Sequence, residues 1–543
     1  MADDREYRST PLQQRRADLN GPSEAHRDHL HSRKESAELP SVKPVGFLGK
    51  CFLLFIVVAC FGSLFQSDVL WSEYDSIERT AYQSMESWPE AWSIHSIRTD
   101  NPLALSSYFI EEAIPFNPAI VHRGINLFLH IIAALLLLSC LNALKAPGAL
   151  AATLVFSTHP AVIQTLFWPG YRSEIIGLIF ILLALYSGIR NRGAAGYLFT
   201  IIFTTIASLI HSAAIAIPVI IIFVIILQNQ KFQFHTFNRA LPLICIALFL
   251  GVWTQDSATL EGTAKIKSSS EALNTYGENM FFFIKQSIFP LFVPLGLFHP
   301  VNNGDSYNVG ASFSLLPFLV FIPFYVLAAI NFKRTWARAT LLGITSFLLL
   351  SLSGLDQQGR FLDGALALET HGLYVALPAI TAVIFCGLRQ LTRRIGAAGK
   401  ILWISSFSLF FLFQLTFTAS FAYTLGKPTT MWQAMSTRWN DSWVPKAAFI
   451  EAIKVDNSDI ITLEGQIEML TAILDIRPEM TEERKTLARV FKEAGQNSNA
   501  VREYKRILRE SKQSNEFLEE AANFYDSVGL EWDARNARER IQR

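Results

Sequence analysis

Residues 66–100, QSDVLWSEYDSIERTAYQSMESWPEAWSIHSIRTD, are a charged stretch between an apolar run at 47–65 and a second apolar segment that opens NPAIVHRGINLFLH at 117–130. Each flank supplies apolar length enough for a membrane helix, which takes roughly 17 to 25 residues. The charged stretch therefore reads as a loop just beyond a membrane exit. It carries Asp68, Glu73 and Asp75, carboxylates placed half-wet at the edge of a bilayer.

Working outward, apolar runs recur at 47–65, 122–143, 148–168, 174–189, 194–210, 212–229, 240–254, 312–331, 339–355, 372–388 and 401–424, which predicts eleven crossings. With 51% hydrophobic residues and 42 phenylalanines in 543 residues, and a mean hydropathy of +0.28, the fold class is all-α, a polytopic membrane bundle rather than a soluble domain. The segment 279–297, NMFFFIKQSIFPLFVPLGL, is apolar but holds Lys285, Gln286, Pro290 and Pro294, so it reads as a re-entrant or interfacial helix. All five cysteines, Cys51, Cys60, Cys140, Cys245 and Cys386, fall inside apolar runs, so no loop disulfide is expected and cysteine usage does not decide the compartment.

Residues 1–45 are polar and basic, the composition of a disordered cytoplasmic tail, and the first apolar run is expected to stay as an anchor. The positive-inside rule agrees. Loops assigned inside hold Lys145, Arg190, Arg192, Lys231, Arg239, Lys333, Arg334, Arg338, Arg389, Arg393, Arg394 and Lys400, against Arg79, Arg98, Arg172, Lys265, Lys267 and Arg360 outside. This threading predicts a transmembrane domain over 46–425, a periplasmic loop at 66–117, a connector at 426–446 and a C-terminal domain at 447–543, also outside. The outer loops 66–117, 169–173, 255–311 and 356–371 are expected to converge on one membrane face.

From 447 the pattern becomes amphipathic helical pairs. Leu487, Ala488, Phe491, Gly495, Ala500, Tyr504 and Ile507 fit the packing positions of a 34-residue tetratricopeptide (TPR) repeat. A shift of one period gives Ala521, Ala522, Tyr525, Gly529, Ala534 and Ile541, and a shift back gives Leu470, Ile473 and Pro478. Such a stack presents a concave face to a protein partner. A generic helical hairpin bundle is the alternative.

Ionisable groups in membrane helices cost about 2.5–3.5 kcal/mol each on insertion scales, so each needs a partner or a purpose. Three clusters stand out: His122, Asn126 and His130, four apart on one helix face; His159, Gln164, Trp168, Arg172 and Glu174 around an outer mouth; and Arg360, Asp363, Glu369 and His371 before the tenth run. No zinc spacing, nucleophile triad or P-loop is present, and no nucleic-acid partner is expected. A carboxylate near a cationic, aromatic mouth suits proton abstraction from a hydroxyl together with departure of a phosphate.

At these residues the chain resembles a known group. His122-x3-Asn126-x3-His130, His159-Pro160 followed by Trp168, Arg172 and Glu174, the segment EALNTYGENMFFFIKQSIFPLFVPLGL and the stretch ETHGLYVALPAI together look like the TPR-containing protein O-mannosyltransferases of the GT-C glycosyltransferase superfamily. The likeness covers roughly 60–425 plus the repeat tail. It implies inverting transfer of a sugar from a polyprenyl-phosphate donor to a protein or glycan hydroxyl on the outer face of an inner membrane, with an acidic residue of the first outer loop as base. In WSEYDSIERTAY, where the family usually has adjacent aspartates, Asp75 is the first choice, Glu73 the second and Asp68 the third. Arg172 is the leading phosphate contact, with Lys285 and Arg360 behind it. The family's second His and its Glu after His-Pro are Val162 and Gln164 here. A divalent ion such as Mg or Mn at Glu73 and Asp75 is conceivable. Two rivals predict otherwise: an oligosaccharide ligase or polymerase would need more cationic groups for a diphosphate donor, and a non-enzymatic scaffold would depend on its repeats alone.

Overall fold

A computed structural model describes residues 43–66, 85–93, 101–112, 114–190, 193–229, 240–251, 269–288, 298–301, 316–355, 358–361, 365–369, 371–440, 442–456, 460–510 and 513–541. The architecture is helical. In chain order the first helices are α1 (Phe47–Phe61), α2 (Pro102–Glu112), α3 (Pro118–Ala143), α4 (Ala149–Ser157), α5 (Val162–Phe167), α6 (Arg172–Arg190), α7 (Ala194–Ile210), α8 (Ile217–Asn229) and α9 (Ala240–Gly251). There follow α10 (Ser269–Ile288), α11 (Leu316–Ile330), α12 (Thr335–Leu355), α13 (Leu377–Arg393), α14 (Ala397–Leu425) and α15 (Pro428–Arg438). The chain closes with α16 (Val444–Asp456), α17 (Leu463–Ile476), α18 (Thr481–Glu493), α19 (Asn497–Glu510), α20 (Asn515–Ser527) and α21 (Glu531–Ile541).

Among the described residues, five stretches are long and apolar enough to cross a membrane: Phe47–Phe65, Ile120–Ala143, Arg172–Arg190, Thr335–Leu352 and Ala397–Leu425. Four shorter apolar helices accompany them, Ala194–Ile210, Ser212–Leu227, Ala240–Gly251 and Leu319–Ile330. Side chains such as Phe55, Phe324, Leu409 and Leu412 point outward and exposed. In water they would be a liability; in a bilayer they are the contact with lipid.

The predicted run 148–168 is not one helix. α4 ends at Ser157 and α5 starts at Val162, because Pro160 has no N–H and biases the residue before it away from helix. The break frees carbonyls that lipid cannot satisfy, and α14 supplies the donors. Gln414 donates to the carbonyl of Val155 at 2.9 Å, and Thr418 donates to that of Thr158 at 2.8 Å. Nearly every residue of this stretch is buried within protein rather than against lipid.

Three further departures concern boundaries. The helix expected over 279–297 begins at Ser269 and is continuous through Lys285 to Ile288, while Pro290 and Pro294, on which the re-entrant reading rests, lie outside the described residues. The run placed at 372–388 enters through a tight turn at His371–Leu373 and becomes helix only from Leu377, then continues to Arg393. A small antiparallel sheet, which apolar periodicity did not predict, joins two loops. β3 (Ala365–Glu369) lies between β1 (Phe298–Val301) and β2 (Gln358–Phe361), with Phe298 opposite Glu369 and Gln358 opposite Leu368.

The connector at 426–446 is mostly helix α15, whose Met431, Trp432 and Met435 belong to the core of the bundle. The boundary expected at 447 runs through α16. Ala448, Phe449, Ala452 and Ile453 of that helix pack into the bundle core, while Val444, Ala447 and Ile450 pack with Leu470, Ile473 and Leu487. One helix is thus shared by both cores.

Beyond it, α18 to α21 form two antiparallel pairs around Ala488, Ala500, Tyr504, Ala521, Tyr525 and Ala534, all buried. Gly495 and Gly529 end α18 and α20 with φ of +69° and +77°, the left-handed backbone that closes a helix, and each is followed by a bond back to the helix at 2.8 Å, Gln496 N–H to Phe491 and Leu530 N–H to Tyr525.

Candidate functional site: a buried ionic cluster beneath the first loop

Helix α2 is set by its own sequence. Pro102 takes the first turn, where a missing N–H has no consequence, and Ser107, Tyr108 and Glu111 then share one face by their spacing of one, three and four. That face meets α6 at its first residue. Arg172 is fully buried, and its guanidinium is held from several sides. Nε donates to Asn126 Oδ1 at 2.7 Å, Nη1 to Ser107 Oγ at 2.7 Å and to Glu111 Oε1, and Nη2 to the His122 carbonyl at 3.3 Å. The Tyr108 ring lies 4.5 Å from the guanidinium carbon. Glu111 Oε2 in turn meets His122 Nδ1.

Glu111 therefore stands between two basic groups, with almost no access to water. The cluster fastens α2, and through it the first loop, to the bundle. Trp88 and Trp92, on a short 3-10 helix at Met85–Trp92, both donate from Nε1 to Ser106 Oγ at 3.0 Å. The path from loop to α2 to α6 is continuous.

Of the polar stripe on α3, His122 and Asn126 join this cluster, and Asn126 also donates to the carbonyls of Leu166 and Trp168, each at 3.4 Å. His130 belongs elsewhere. Its Nε2 donates to the Ser157 carbonyl at 3.0 Å, so its Nδ1 accepts from the Tyr374 hydroxyl at 2.7 Å. His159 Nδ1 accepts from the Ala161 N–H at 3.2 Å, capping the helix break, and its ring meets the backbone of Ser287 in α10. These two histidines tie neighbouring segments of the bundle together. Trp168 is buried beside Phe167, with ring centroids 5.6 Å apart.

A second buried carboxylate, two residues along α6 from Arg172, is hydrogen-bonded to a histidine. Glu174 Oε2 and His211 Nε2 are 2.7 Å apart, and because His211 Nδ1 accepts from the Ala213 N–H at 3.0 Å, the ring proton is on Nε2. Gly177 makes room for this contact, since a Cβ there would stand 2.8 Å from His211 Cβ.

The other mouth residues assemble as expected in part. The His371 ring stacks on Tyr171 at 3.9 Å with rings 6° apart, and the His371 backbone N–H donates to Gln164 Oε1 at 3.1 Å. The strands place Arg360 in β2 and Glu369 in β3, close in sequence to His371. Lys285 is half-buried in the last turn of α10, two residues before Ser287. Described parts of all four loops thus meet at one end of the bundle.

Arg172, the leading phosphate contact by sequence, does not face an open mouth: it is buried in the wall with its donors engaged. Asp68, Glu73 and Asp75, and with them the divalent-ion site, lie outside the described residues. Among the described residues no group of three or more His, Cys, Asp or Glu is placed to hold a metal.

Glu111 and His211 escaped the sequence reading. Glu111 sits in IEEAIPF, which looks like loop, and only the Ser107–Tyr108–Glu111 spacing marks it as a face. His211 falls at the boundary between the apolar runs 194–210 and 212–229, where nothing in the sequence marks it. Comparison of the chain with models of known protein families and with curated proteins finds no match.

Proposed function

We propose that the chain is a GT-C-type glycosyltransferase of an inner membrane. It transfers a sugar from a polyprenyl-phosphate-linked donor to a protein or glycan hydroxyl on the extracytoplasmic face. The observation that carries this reading is the meeting of four separate loops above a wall of buried, fully engaged charges. A lipid-borne substrate needs a mouth assembled at a membrane surface from several helices, with its shape held rigid.

In the proposed step Asp75 takes the proton of the acceptor hydroxyl as that oxygen bonds to the anomeric carbon, and the bond from that carbon to the phosphate oxygen breaks with inversion. Glu73 and Asp68 are the alternative bases. With Arg172 committed to Glu111, Lys285 and Arg360 are left to meet the negative charge on the departing phosphate. Glu111 and Arg172 act indirectly by positioning α2 and the loop before it. The C-terminal helices, read as TPR-like repeats on the same side, hold the acceptor or a protein partner, and the shared helix α16 fixes them to the bundle.

Asp75→Asn tests the step. Purified protein reconstituted with a polyprenyl-phosphate sugar and membrane-protein acceptors should lose transfer, read by mass spectrometry, while its amount in the membrane is unchanged. Full activity would remove Asp75 from the mechanism. Identical envelope glycans with and without the gene would remove the enzyme class and leave the scaffold reading.

A further inference from the structure

The opposite end of the bundle has a different chemistry. Among the described residues there, the segments 142–150, 330–340 and 387–402 and Arg190 at the end of α6 supply Lys or Arg, and none of these segments carries Asp or Glu. A field of one sign this uniform asks for an external counter-charge. Within it, one arginine is built into the fold rather than waving in solvent.

Arg389, near the end of α13, has its stem pressed under the turn between α3 and α4. Gly148 has φ of +81°, and a Cβ at that position would lie 3.0 Å from Arg389 Cβ and 3.2 Å from the Phe385 carbonyl. Glycine therefore lets the turn lie flat on α13 and fixes the direction of the side chain. The guanidinium carbon sits 5.7 Å from the ring centre of Trp403, at the start of α14. Nη1 is buried and has no acceptor among the described residues. Arg393 follows one turn later, a like charge at a spacing that repels.

A buried donor without an acceptor, next to a second cation and far from any carboxylate in sequence, is an incomplete site. Its surroundings say what completes it. Leu388, Leu391 and Ile395 on α13 and Ile401 and Leu402 on α14 are all exposed, so each of the two helices that carry Arg389 and Trp403 presents an apolar strip. A tryptophan beside a cation at a helix end is characteristic of the level of the headgroups. We propose that Arg389, with Trp403 and Arg393, binds the phosphodiester of an anionic glycerophospholipid, whose two acyl chains lie along the strips on α13 and α14. A planar guanidinium pairs with two phosphate oxygens at once, which an ammonium does not. The apolar strips argue for a lipid over free phosphate, and their pairing for two chains over one polyprenyl chain.

The test uses the full-length protein in zwitterionic phosphatidylcholine nanodiscs, titrated with phosphatidylglycerol and read by native mass spectrometry and by thermal unfolding. Wild type should retain phosphatidylglycerol through delipidation and unfold at a higher temperature in its presence. Arg389→Gln should retain it about tenfold less, the size of one lost charge-assisted hydrogen bond. Lys333→Gln/Arg334→Gln, which removes two charges from the same end, should retain it like wild type. Arg389→Lys keeps the charge and should fall between, and Trp403→Leu provides a second weakening variant if Arg389→Gln does not fold. The proposal is overturned if Arg389→Gln retains lipid normally, or if the Lys333/Arg334 variant loses as much. Displacement by inorganic phosphate or by polyprenyl phosphate at equal concentration would also overturn it, because the ligand would then be another anion.

Discussion

The bundle and the C-terminal helices both pair opposite charges, but at different depths. Arg172 and Glu111 are 0% and 1% exposed, whereas Arg489 and Glu520, bridging α18 and α20, are 47% and 25% exposed. In the first case the pair is shielded from bulk solvent and each charge depends on its partner, so removing one strands the other. In the second, solvent screens both and can replace either. The same chemistry thus fixes geometry in one region and only trims a surface in the other. That is the division expected if the bundle must hold a site and the tail must mainly stack.

Glu111→Gln should break the buried side most severely. It leaves the Arg172 guanidinium and His122 without their carboxylate, a loss of about 3–5 kcal/mol, checked by thermal or denaturant unfolding of the full-length protein in detergent. The expected functional companion is a loosened first loop, read as faster proteolysis after α1.

A smaller effect should follow from Gly177→Ala. The new Cβ would stand 2.8 Å from His211 Cβ and 3.1 Å from Cγ, so His211 must withdraw from Glu174. Overpacking of this kind costs about 1–3 kcal/mol. Pairing it with His211→Gly sharpens the comparison: with the Cβ and the ring both gone, the alanine at 177 should be tolerated, and equal damage in both backgrounds would locate the strain elsewhere.

The smallest effect belongs to the exposed pair. Arg489→Ala should cost no more than about 1 kcal/mol and shrink with added salt. Its pH dependence has a definite sign. Partial burial raises the Glu520 carboxyl, but hydrogen bonds from Arg489 and from the Tyr504 hydroxyl, the latter at 2.6 Å, outweigh it and hold the group below its ordinary range. A depressed carboxyl stabilises the fold above its unfolded-state value and loses that contribution as pH falls through the folded one. The stability gap between wild type and Glu520→Gln should therefore be constant near neutrality and close in acid.

Much of this was legible in the sequence because membrane helices and helical pairs announce themselves by apolar length and periodicity. The runs located α1, α3, α6, α7, α12 and α14, and the 34-residue spacing located the two closing glycines. The polar stripe on α3 and the charges of Arg172 and Glu174 were also visible, since charge is conspicuous against apolar sequence. What escaped depends on three-dimensional neighbours. A proline break inside 148–168 is tolerated only because Gln414 and Thr418, some 260 residues away, satisfy the carbonyls it frees. Glu111 looked like loop charge until α2 folded against α6. Arg172 looked available because its partner was hidden.

The double-mutant cycle between Glu111 and Arg172 is the most direct test that a buried ionic cluster docks the first loop to the bundle. Unfolding is measured for Glu111→Gln, Arg172→Met, the double variant and wild type. The account predicts strong non-additivity, with the double variant more stable than Glu111→Gln alone because no unpaired guanidinium remains. Losses that simply add, to within about 0.5 kcal/mol, would mean the two side chains do not act as a pair.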